Sequence, residues 1–401
     1  MRILQIHNFY KQAGGEDTVF EQEAQLLRAH GHTVEQLTFS NNNVTSIKDK
    51  LQAALGVVYN PQSAGIISKS IKRFKPDVVH VHNFFPLVSP GVFWVCRKYK
   101  VPVVMTLHNY RLLCPSAVLY YDGQVQLENV QQRFPLKPIL KGVYRGSKVE
   151  TASVVLATGV HKLLGTWRGK VNKFIALTPG AAALFQNSSL HLRPEQLSIK
   201  PNFTADPGLG AATREDYFLY LGRLTEEKGI RTLLKAHTLK PFPLRIIGTG
   251  PLQALVEAYA AKHPAVEYMG FRPREEAMEQ LKKARALIFP SEWLETFGMT
   301  AVEAFATGTP VIASKIGGGA HLVQHQHNGM HYTPGDAQEL VRQVELLQQL
   351  PDLARALGQN ARNDYEQLYT PDINCQMLVS IYEDAIGLKK QQTSLKEIAQ
   401  L

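Results

Sequence analysis

The sequence predicts an α/β protein of two doubly wound, parallel-sheet domains, and three observations lead to this prediction. The chain has 401 residues, enough for two or three domains of about 150 residues each. Short apolar runs alternate with helical patterns along nearly the whole length, as in βαβ proteins. A stretch rich in Pro, Gly and small polar residues, 201–216, interrupts this alternation and predicts a hinge linker.

The composition is that of a globular protein. Hydrophobic residues make up 44% and charged residues 19%, which excludes a disordered, collagen-like or coiled-coil chain. The cysteines Cys96, Cys114 and Cys375 are too scattered for a disulfide framework or a paired-cysteine zinc site, and we expect Cys114 to be a buried thiol. The N-terminal apolar stretch is too short for a signal peptide, and no apolar run of about 18 residues occurs. We therefore expect a cytoplasmic protein.

The first half contains a series of predicted strands. RILQIHNF is followed by the turn AGGED and by a helical pattern from Thr18 to His30, which Gly31 ends. HTVEQLTF is the next strand. PDVVHVHN and VPVVMTLHN are apolar on both faces, as expected inside a parallel sheet, and KFIALT and LSIKPN continue the series. His80 and His82 lie at the end of one such strand, where we expect structural roles.

The alternation restarts after the linker. Strands are predicted at FLYLGRL, LRIIGTG, VEYMGF, ALIFPS and PVIAS, with helices over 229–239, 251–262, 274–284 and 298–307 between them and three more near 336–349, 352–367 and 372–387. We predict an N-terminal acceptor-binding domain (1–202), a C-terminal nucleotide-sugar-binding domain (203–375) and a C-terminal helix (376–401) packing back towards the first domain. Ligands of such sheets bind at the carboxyl ends of the strands, here in a cleft between the domains.

The positive charge is concentrated in the first half. Residues 1–200 carry 24 Lys and Arg against 11 Asp and Glu, a net charge of +13, whereas residues 201–401 carry 20 against 23, a net of −3. This distribution suits nucleic acid, an anionic membrane, anionic substrates or simply a basic surface. No basic helix or aromatic–basic motif of a nucleic-acid reader is evident. The segment 133–148 interleaves apolar and basic residues, and we hypothesise that it contacts the inner face of an anionic membrane.

Two loops after predicted strands suit phosphate groups. Ala13-Gly14-Gly15-Glu16 offers unobstructed N–H groups at a helix N-terminus, where an anion is favoured, although an ordinary tight turn has the same sequence. In GRLTEEKG (222–229), Arg223 and Lys228 flank a turn and can converge on a pair of phosphates. The alternative for these two residues is a pair of solvated surface cations.

A third loop, FPSEWLETFGMTAVEAFATGTPVIAS (289–314), carries the sharpest pattern. Glu295 and Glu303 are eight residues apart, and a helix is predicted to begin at Gly298. Free N–H groups in the first turn of this helix can bind phosphate. Carboxylates that accept from vicinal hydroxyls beside such groups describe a sugar-nucleotide site. The alternative is that Glu303 lies on an exposed helix face, although the small residues that follow it favour close packing.

This stretch resembles the signature of the family 4 glycosyltransferases of the GT-B fold: Pro-Ser, a Glu, Phe-Gly, a second Glu eight residues on, and Gly-x-Pro-Val. GRL…KG, IIGTGPL (246–252), GGGAHLV (317–323), the N-terminal GG turn and TLHNYRLLCP (106–115) follow the family's order, so the resemblance covers nearly the whole chain. One departure is His321, where relatives often carry Glu, and this puts the donor preference in question.

The resemblance implies a retaining glycosyltransferase that uses a nucleoside-diphosphate sugar of UDP or GDP type and needs neither a metal nor another cofactor. The implied roles are as follows: Arg223 and Lys228 for the diphosphate; the amides of Phe297, Gly298, Met299 and Thr300 for sugar and phosphate; Glu295 for donor-sugar hydroxyls; Glu303 for the ribose; Gly270, Phe271 and Arg272 beside the base; Gly15 capping the phosphate; and His108 approaching the donor sugar. The acceptor is expected to be a saccharide or a lipid-linked molecule, in polysaccharide, glycolipid or cell-envelope glycan synthesis.

The residues themselves agree with the expectation about metal. No Asp-x-Asp pair occurs in the chain, and cationic side chains can stabilise the leaving-group charge instead. The tract of His321, His325, His327 and His331 suits a solvated loop better than a metal site. Two alternatives remain open: a phosphorylase or sugar-nucleotide epimerase on the same fold, and a non-enzymatic binder of sugar or nucleic acid, against which the intact acidic and basic site residues argue.

Overall fold

A computed structural model describes residues 1–10, 14–40, 56–211 and 213–387, and these residues form two compact units. The first unit comprises residues 1–119, 126–200 and those from 374 onward, and the second comprises 120–125 and 201–373. Ala13 of the predicted glycine turn and 388–401 of the predicted C-terminal helix lie outside the described residues. Within the described ranges, no helix combines the length and apolar character needed to cross a membrane.

Each unit is built around one six-stranded sheet, and a short hairpin accompanies them. The strands are β1 (Arg2–Phe9), β2 (Thr33–Ser40), β3 (Val78–Val81), β4 (Val103–Thr106), β5 (Tyr120–Tyr121), β6 (Gln124–Val125), β7 (Lys173–Ala176), β8 (Leu197–Ile199), β9 (Phe218–Leu221), β10 (Leu244–Ile247), β11 (Val266–Gly270), β12 (Ala286–Phe289), β13 (Val311–Ser314) and β14 (Gly329–Tyr332).

Helices connect these strands. They are α1 (Gly15–Ala29), α2 (Pro61–Phe74), α3 (Gly91–Lys98), α4 (Lys137–Lys141), α5 (Lys148–Leu163), α6 (Thr166–Lys170), α7 (Pro179–Gln186), α8 (Ile230–Leu239), α9 (Gln253–Ala260), α10 (Arg274–Lys283), α11 (Met299–Ala306), α12 (Gly317–Leu322), α13 (Ala337–Gln349), α14 (Pro351–Leu368) and α15 (Pro371–Ile386).

Both six-stranded sheets are parallel and doubly wound, which confirms the predicted fold class. The first has the order β2-β1-β3-β4-β7-β8 and the second β11-β10-β9-β12-β13-β14. The central strands β3, β4, β12 and β13 are buried along their whole length, because helices cover both faces of each sheet. This arrangement brings the loops after β9, β10, β12 and β13 to a single edge of the second sheet.

Two local expectations differ from the structure. The helix expected from Thr18 begins at Gly15, because the Asp17 carboxylate accepts from the Gly14 amide at 2.9 Å and closes the first turn. The segment expected as a hinge linker belongs to the second unit. There Arg214 donates to the carbonyl oxygens of Thr307 and Gly308 at 2.8 and 2.9 Å. These bonds fix the segment to its own unit.

Candidate active site

Lys228 lies in the loop that follows β9 and points at Glu295. Its Nζ is 2.6 Å from Oε1 of Glu295, and the two side chains are only 16% and 13% exposed. The ammonium also lies 5.7 Å from the centre of the Trp293 ring and 5.9 Å from that of Phe289, where aromatic faces favour a cation. Arg223, at the other end of the loop, is exposed. The structure therefore brings Lys228, rather than Arg223, into contact with the predicted carboxylate.

Glu295 is held from both sides in the loop after β12. Lys228 occupies one carboxylate oxygen, and the Ser291 hydroxyl donates to the other, Oε2, at 2.8 Å. The amide of Gly318 donates to the Glu295 carbonyl at 2.7 Å. A carboxylate held in this way has a fixed direction, as recognition of sugar hydroxyls requires.

Glycine permits the close packing that shapes this loop. A Cβ on Gly318 would overlap the carbonyl oxygen of Phe297, so α12 can lie directly against the loop only with glycine at that position. Gly298 precedes α11 with φ of 140°, a conformation that side chains other than glycine rarely adopt. The following residues, Met299 and Thr300, are half-buried and start the helix, whose first N–H groups have no partner within the helix itself.

Glu303 lies on α11 with 6% exposure, so the alternative of an exposed helix face is wrong. Nη1 of Arg274 is 2.6 Å from its Oε1. Burial raises the pKa of Glu303, and Arg274 opposes that rise. Arg274 also donates to the Thr204 hydroxyl at 2.6 Å. The sequence analysis did not identify Arg274, because its only signal is a position shortly after a strand.

The residues expected beside the base follow β11. Gly270 ends that strand with φ of 68°, and the Phe271 ring after it is 70% exposed. An exposed aromatic ring at the ligand edge of a sheet can stack on a flat base. Arg272 lies 3.6 Å from the Glu276 carboxylate. The Phe297 side chain is buried, so only its backbone can face a ligand.

His108 belongs to the first unit and lies just beyond β4. Its Nε2 is 3.1 Å from Nδ1 of His82, and the two rings stack at 5.3 Å. Burial lowers the pKa of His108 to about 3, so its imidazole is neutral at physiological pH. The side chain is half-buried, at the edge of a small cavity that Asn83, Thr106 and Arg111 also line.

The glycine turn places further polar groups in the first unit. Gly15 is the first residue of α1 and is exposed. The next residue, Glu16, accepts from Asn109 Nδ2 at 3.2 Å, and burial raises the pKa of this carboxyl. Glu16 and Asn109 are candidate site residues that sequence reasoning missed, although each adjoins a residue that it singled out.

The other histidines and the cysteine have partners within the protein. His331 Nε2 lies 3.1 Å from the Gly319 carbonyl oxygen, and the His331 amide donates to Nδ1 of His325 at 3.0 Å. His327 lies 3.3 Å from the Asp364 carboxylate, whereas His321 is exposed. Cys114 is buried, as predicted, and burial raises the pKa of its thiol.

Comparisons with known families agree with this architecture. The family described as glycosyl transferases group 1 matches residues 203–364, and the family described as Glycosyltransferase Family 4 matches residues 13–147. Each match falls largely within one of the two sheet-containing units. The chain is a family 4 glycosyltransferase of the GT-B fold.

Individual relatives are more distant. The chain is 23% identical over 410 residues to the O-antigen chain mannosyltransferase C of Escherichia coli, covering 97% of this chain and 100% of the relative. Sucrose-phosphate synthase from Thermosynechococcus elongatus superposes with a TM-score of 0.72 at 18% identity, covering 97% and 100% of the two chains. Anabaena Alr3699/HepE, solved in complex with UDP, gives 0.67 at 17% identity, with 96% and 100% covered. These likenesses to solved structures show the same fold.

Proposed function

We propose that this enzyme moves a sugar from a nucleoside-diphosphate sugar to a saccharide or lipid-linked acceptor, with retention of anomeric configuration. The observation that carries the proposal is the Lys228–Glu295 pair at the carboxyl edge of the second sheet. A cation next to an oriented carboxylate offers phosphate recognition and hydroxyl recognition a few ångströms apart. Both are needed by a molecule in which a sugar is joined to a diphosphate.

The positive groups of the second unit suit the diphosphate without a metal. Lys228 supplies a compact point charge and Arg223 a fork of donors. The first turn of α11 adds N–H groups that favour an anion. Together they would stabilise the charge that develops on the leaving nucleoside diphosphate.

The carboxylates suit the two sugars of the donor. Glu295, held by Lys228 and Ser291, would accept from hydroxyls of the transferred sugar; we assign it binding and orientation, not nucleophilic attack. Glu303, paired with Arg274 through Oε1, would accept from the ribose hydroxyls. Phe271, 70% exposed, would lie against the base. His108 would accept a hydrogen bond from a hydroxyl of a sugar substrate.

A UDP-type donor has the best support. Anabaena Alr3699/HepE, which shares the fold, has been solved with UDP-glucose as well as with UDP. The O-antigen chain mannosyltransferase of Escherichia coli, which aligns over almost the whole chain, favours a role in polysaccharide or cell-envelope glycan synthesis. A GDP-type donor is the alternative that the binding experiment distinguishes.

Thermal unfolding with UDP, GDP, ADP, CMP and their sugar conjugates, each with and without EDTA, tests the proposal. A ligand at 100 times its dissociation constant stabilises by about 2.7 kcal/mol, which raises Tm by roughly 2–4 °C per kcal/mol for a domain of this size. We expect one nucleoside diphosphate to raise Tm despite EDTA. A shift that EDTA removes would contradict metal independence, and no shift with any nucleotide would contradict the donor site.

Product analysis separates transfer from other reactions on this fold. With the donor identified, we expect sugar to appear on an added saccharide or lipid-linked acceptor in the anomeric form it had in the donor. Turnover that requires free phosphate would instead indicate a phosphorylase. Conversion of the donor without any acceptor would indicate an epimerase.

The first unit carries a surface that suits an anionic bilayer. We define the α4–α5 face as the exposed apolar residues Leu136, Leu140, Val149, Leu156 and Leu163, which are 53–74% exposed. The last three are seven residues apart, about two turns, so they lie on one side of α5. Lys137, Lys141, Arg145 and Lys148 lie between or beside them in the sequence. Apolar side chains interleaved with cations are typical of segments that lie on anionic membranes.

A further inference from the structure

A buried polar cluster lies behind His108 in the first unit. It contains Glu23 of α1, His80 of β3, His82 just beyond β3, and Lys200 after β8. Glu23, His80 and Lys200 are completely buried, and His82 is 2% exposed. None of these residues belongs to the donor site of the second unit. The question is what so much buried polarity does there.

The charges in the cluster are confined to one pair. Lys200 Nζ lies 2.8 Å from Oε1 of Glu23. Burial by itself raises the pKa of Glu23, but Lys200 and His80 outweigh it and the pKa is lowered. Burial, followed by the neighbouring histidine, lowers the pKa of His80 and of His82 well below its usual value. Glu23 is therefore ionised, whereas both imidazoles are neutral.

A metal ion fits this cluster poorly. Ligand atoms of Glu23, His80 and His82 lie within 4.8 Å of one another, but the Lys200 ammonium already occupies the Glu23 carboxylate. Both nitrogens of His80 are also engaged, Nδ1 with the Tyr382 hydroxyl at 2.7 Å and Nε2 with the Thr106 hydroxyl at 2.8 Å. A second cation would have to break these bonds and lie beside Lys200.

A hydrogen-bond chain fits the cluster better. Oε2 of Glu23 and Nε2 of His82 are both buried without another hydrogen-bond partner, and they lie 3.5 Å apart. Nδ1 of His82 is 3.1 Å from Nε2 of His108. A neutral imidazole has one N–H and one lone pair. The chain Glu23–His82–His108 therefore has two possible proton arrangements, and the carboxylate discriminates between them.

We infer that Glu23, acting through His82, fixes the tautomer of His108. An ionised carboxylate can only accept, so His82 carries its proton on Nε2 and presents a lone pair at Nδ1. His108 must then donate from Nε2, which makes its Nδ1 an acceptor. In the opposite arrangement, the His82 lone pair would face the carboxylate and two buried acceptors would remain unpaired. Glu23 and His82 are thus positioning residues, as are the groups that orient imidazoles in other sites.

The consequence for catalysis rests on the proposed function. If His108 accepts from a sugar hydroxyl, Glu23 and His82 decide that it accepts rather than donates. The tautomer itself is independent of any substrate. It can therefore be measured even if the enzyme proves to use a different donor or to catalyse a different reaction.

The test is side-chain ¹H–¹⁵N spectroscopy of the full chain with ¹⁵N-labelled histidine, with the His108 signals identified by their loss in His108→Gln. We expect His108 to be neutral with its proton on Nε2. In Glu23→Gln, Lys200 should hold the amide oxygen and turn the NH₂ group towards His82. The proton order then reverses, and His108 should carry its proton on Nδ1. Glu21→Gln, an exposed change on the same helix, should leave the spectrum unchanged.

A second pair of variants covers the case in which Glu23→Gln does not fold. His82→Asn keeps an oxygen acceptor near the position of Nδ1 and should preserve the His108 tautomer, whereas His82→Leu should leave a mixture. A proton on Nδ1 in the wild type, or an unchanged tautomer in folded Glu23→Gln and His82→Leu, would overturn the inference. Shifts of the His80 and His82 signals on adding Zn²⁺ would favour the metal site instead.

Activity provides the last readout. Once a donor is known, Glu23→Gln should lower kcat for sugar transfer by roughly 10–100-fold, the usual effect of losing an orienting partner. The affinity for the free nucleoside diphosphate should remain within about twofold, because that ligand has no sugar hydroxyl for His108. An unchanged kcat with a reversed tautomer would separate the two claims: the tautomer would stand, and the role of His108 in transfer would fail.

Discussion

The Lys228 ammonium and the Glu295 carboxylate form a 2.6 Å ion pair between the loops that follow two neighbouring strands of the second sheet. The pair joins the group proposed to bind phosphate to the group proposed to bind sugar hydroxyls. Substituting either residue therefore affects its partner, and the two effects differ in the ligand whose binding is lost.

Lys228→Ala should weaken binding of the free nucleoside diphosphate by about 10–100-fold, because a hydrogen bond to a charged group is worth roughly 1.5–3 kcal/mol. Calorimetric titration with the nucleotide found in the thermal screen measures this effect. Lys235→Ala removes an exposed cation of α8 and should leave the affinity unchanged. Equal affinities for all three proteins would exclude Lys228 from the phosphate site.

Glu295→Ala should abolish sugar transfer while the enzyme still binds the nucleoside diphosphate. The reason is that Glu295 is proposed to contact the sugar, which the free nucleotide lacks. Parallel measurements of transfer rate and nucleotide affinity separate these effects. A variant that retains near-native transfer would show that this carboxylate is not part of the reaction site.

Arg274→Ala should destabilise the second unit by about 2–3 kcal/mol. The loss leaves the Glu303 carboxylate, which is 8% exposed, buried without its cation, and such losses cost about 3–5 kcal/mol when both partners are buried. The lower figure reflects the 41% exposure of Arg274, where solvent screens the charge. Denaturant unfolding measures the change.

Arg272→Ala is the matched control for that experiment. Its partner Glu276 is 61% exposed and 3.6 Å away, so its removal should cost less than about 0.5 kcal/mol. If both variants lost the same stability, the Glu303–Arg274 pair would contribute no more than an ordinary surface contact.

The buried histidines should make stability fall as the solution is acidified. His80 and His82 have lowered pKa values in the fold, whereas in the unfolded chain they titrate near 6.5. Below about pH 6.5 only the unfolded state takes up these protons, so the free energy of unfolding decreases. The loss between pH 7 and pH 5 is roughly 2 kcal/mol for each histidine. Denaturant unfolding across this range should show a shallower slope for His82→Asn, and an unchanged slope for His321→Asn.

The α4–α5 face should bind vesicles that contain anionic lipid. Co-sedimentation at low salt is expected, and Leu140→Glu or Leu156→Glu should weaken it about tenfold, because each change removes an apolar side chain worth roughly 1.5–3 kcal/mol when buried. Leu239→Glu, on the other unit and 50% exposed, is the control. Wild-type protein that stays in the supernatant at low salt would rule out this surface as a membrane contact.

The sequence predicted the sheets well because their strands are apolar runs bounded by turn residues. β3, β4, β12 and β13 are buried on both faces, and a continuous run of Val and Ile conveys that directly. β14 was not predicted, since its residues include Gly329 and His331, which have low strand propensity. The failure of the linker prediction has a similar cause: composition cannot show that Arg214 binds two carbonyl oxygens of its own unit.

The candidate site was predictable in its loops and less so in its pairs. Gly298 and Glu295 stand in a recognisable motif, but the sequence does not show that Arg274 lies against Glu303. Likewise, Glu23 occurs within an ordinary amphipathic helix. Only the fold reveals that it is buried beside Lys200, 177 residues further along the chain. Contacts between distant segments are what sequence periodicity cannot supply.

The last described helix has a consequence for biosynthesis. The Tyr382 hydroxyl bonds to His80, and Asn374 accepts from Lys200 at 3.0 Å, so α15 completes the polar interior of the unit in which the chain begins. The ribosome must first produce residues 201–373, which takes roughly 10–35 s at about 5–20 residues per second. During that interval the nascent first unit lacks its closing helix while the second unit emerges. Folding in the cell should therefore finish on the segment made last, and a stop codon ahead of residue 374 would leave both sheets synthesised but the first one open.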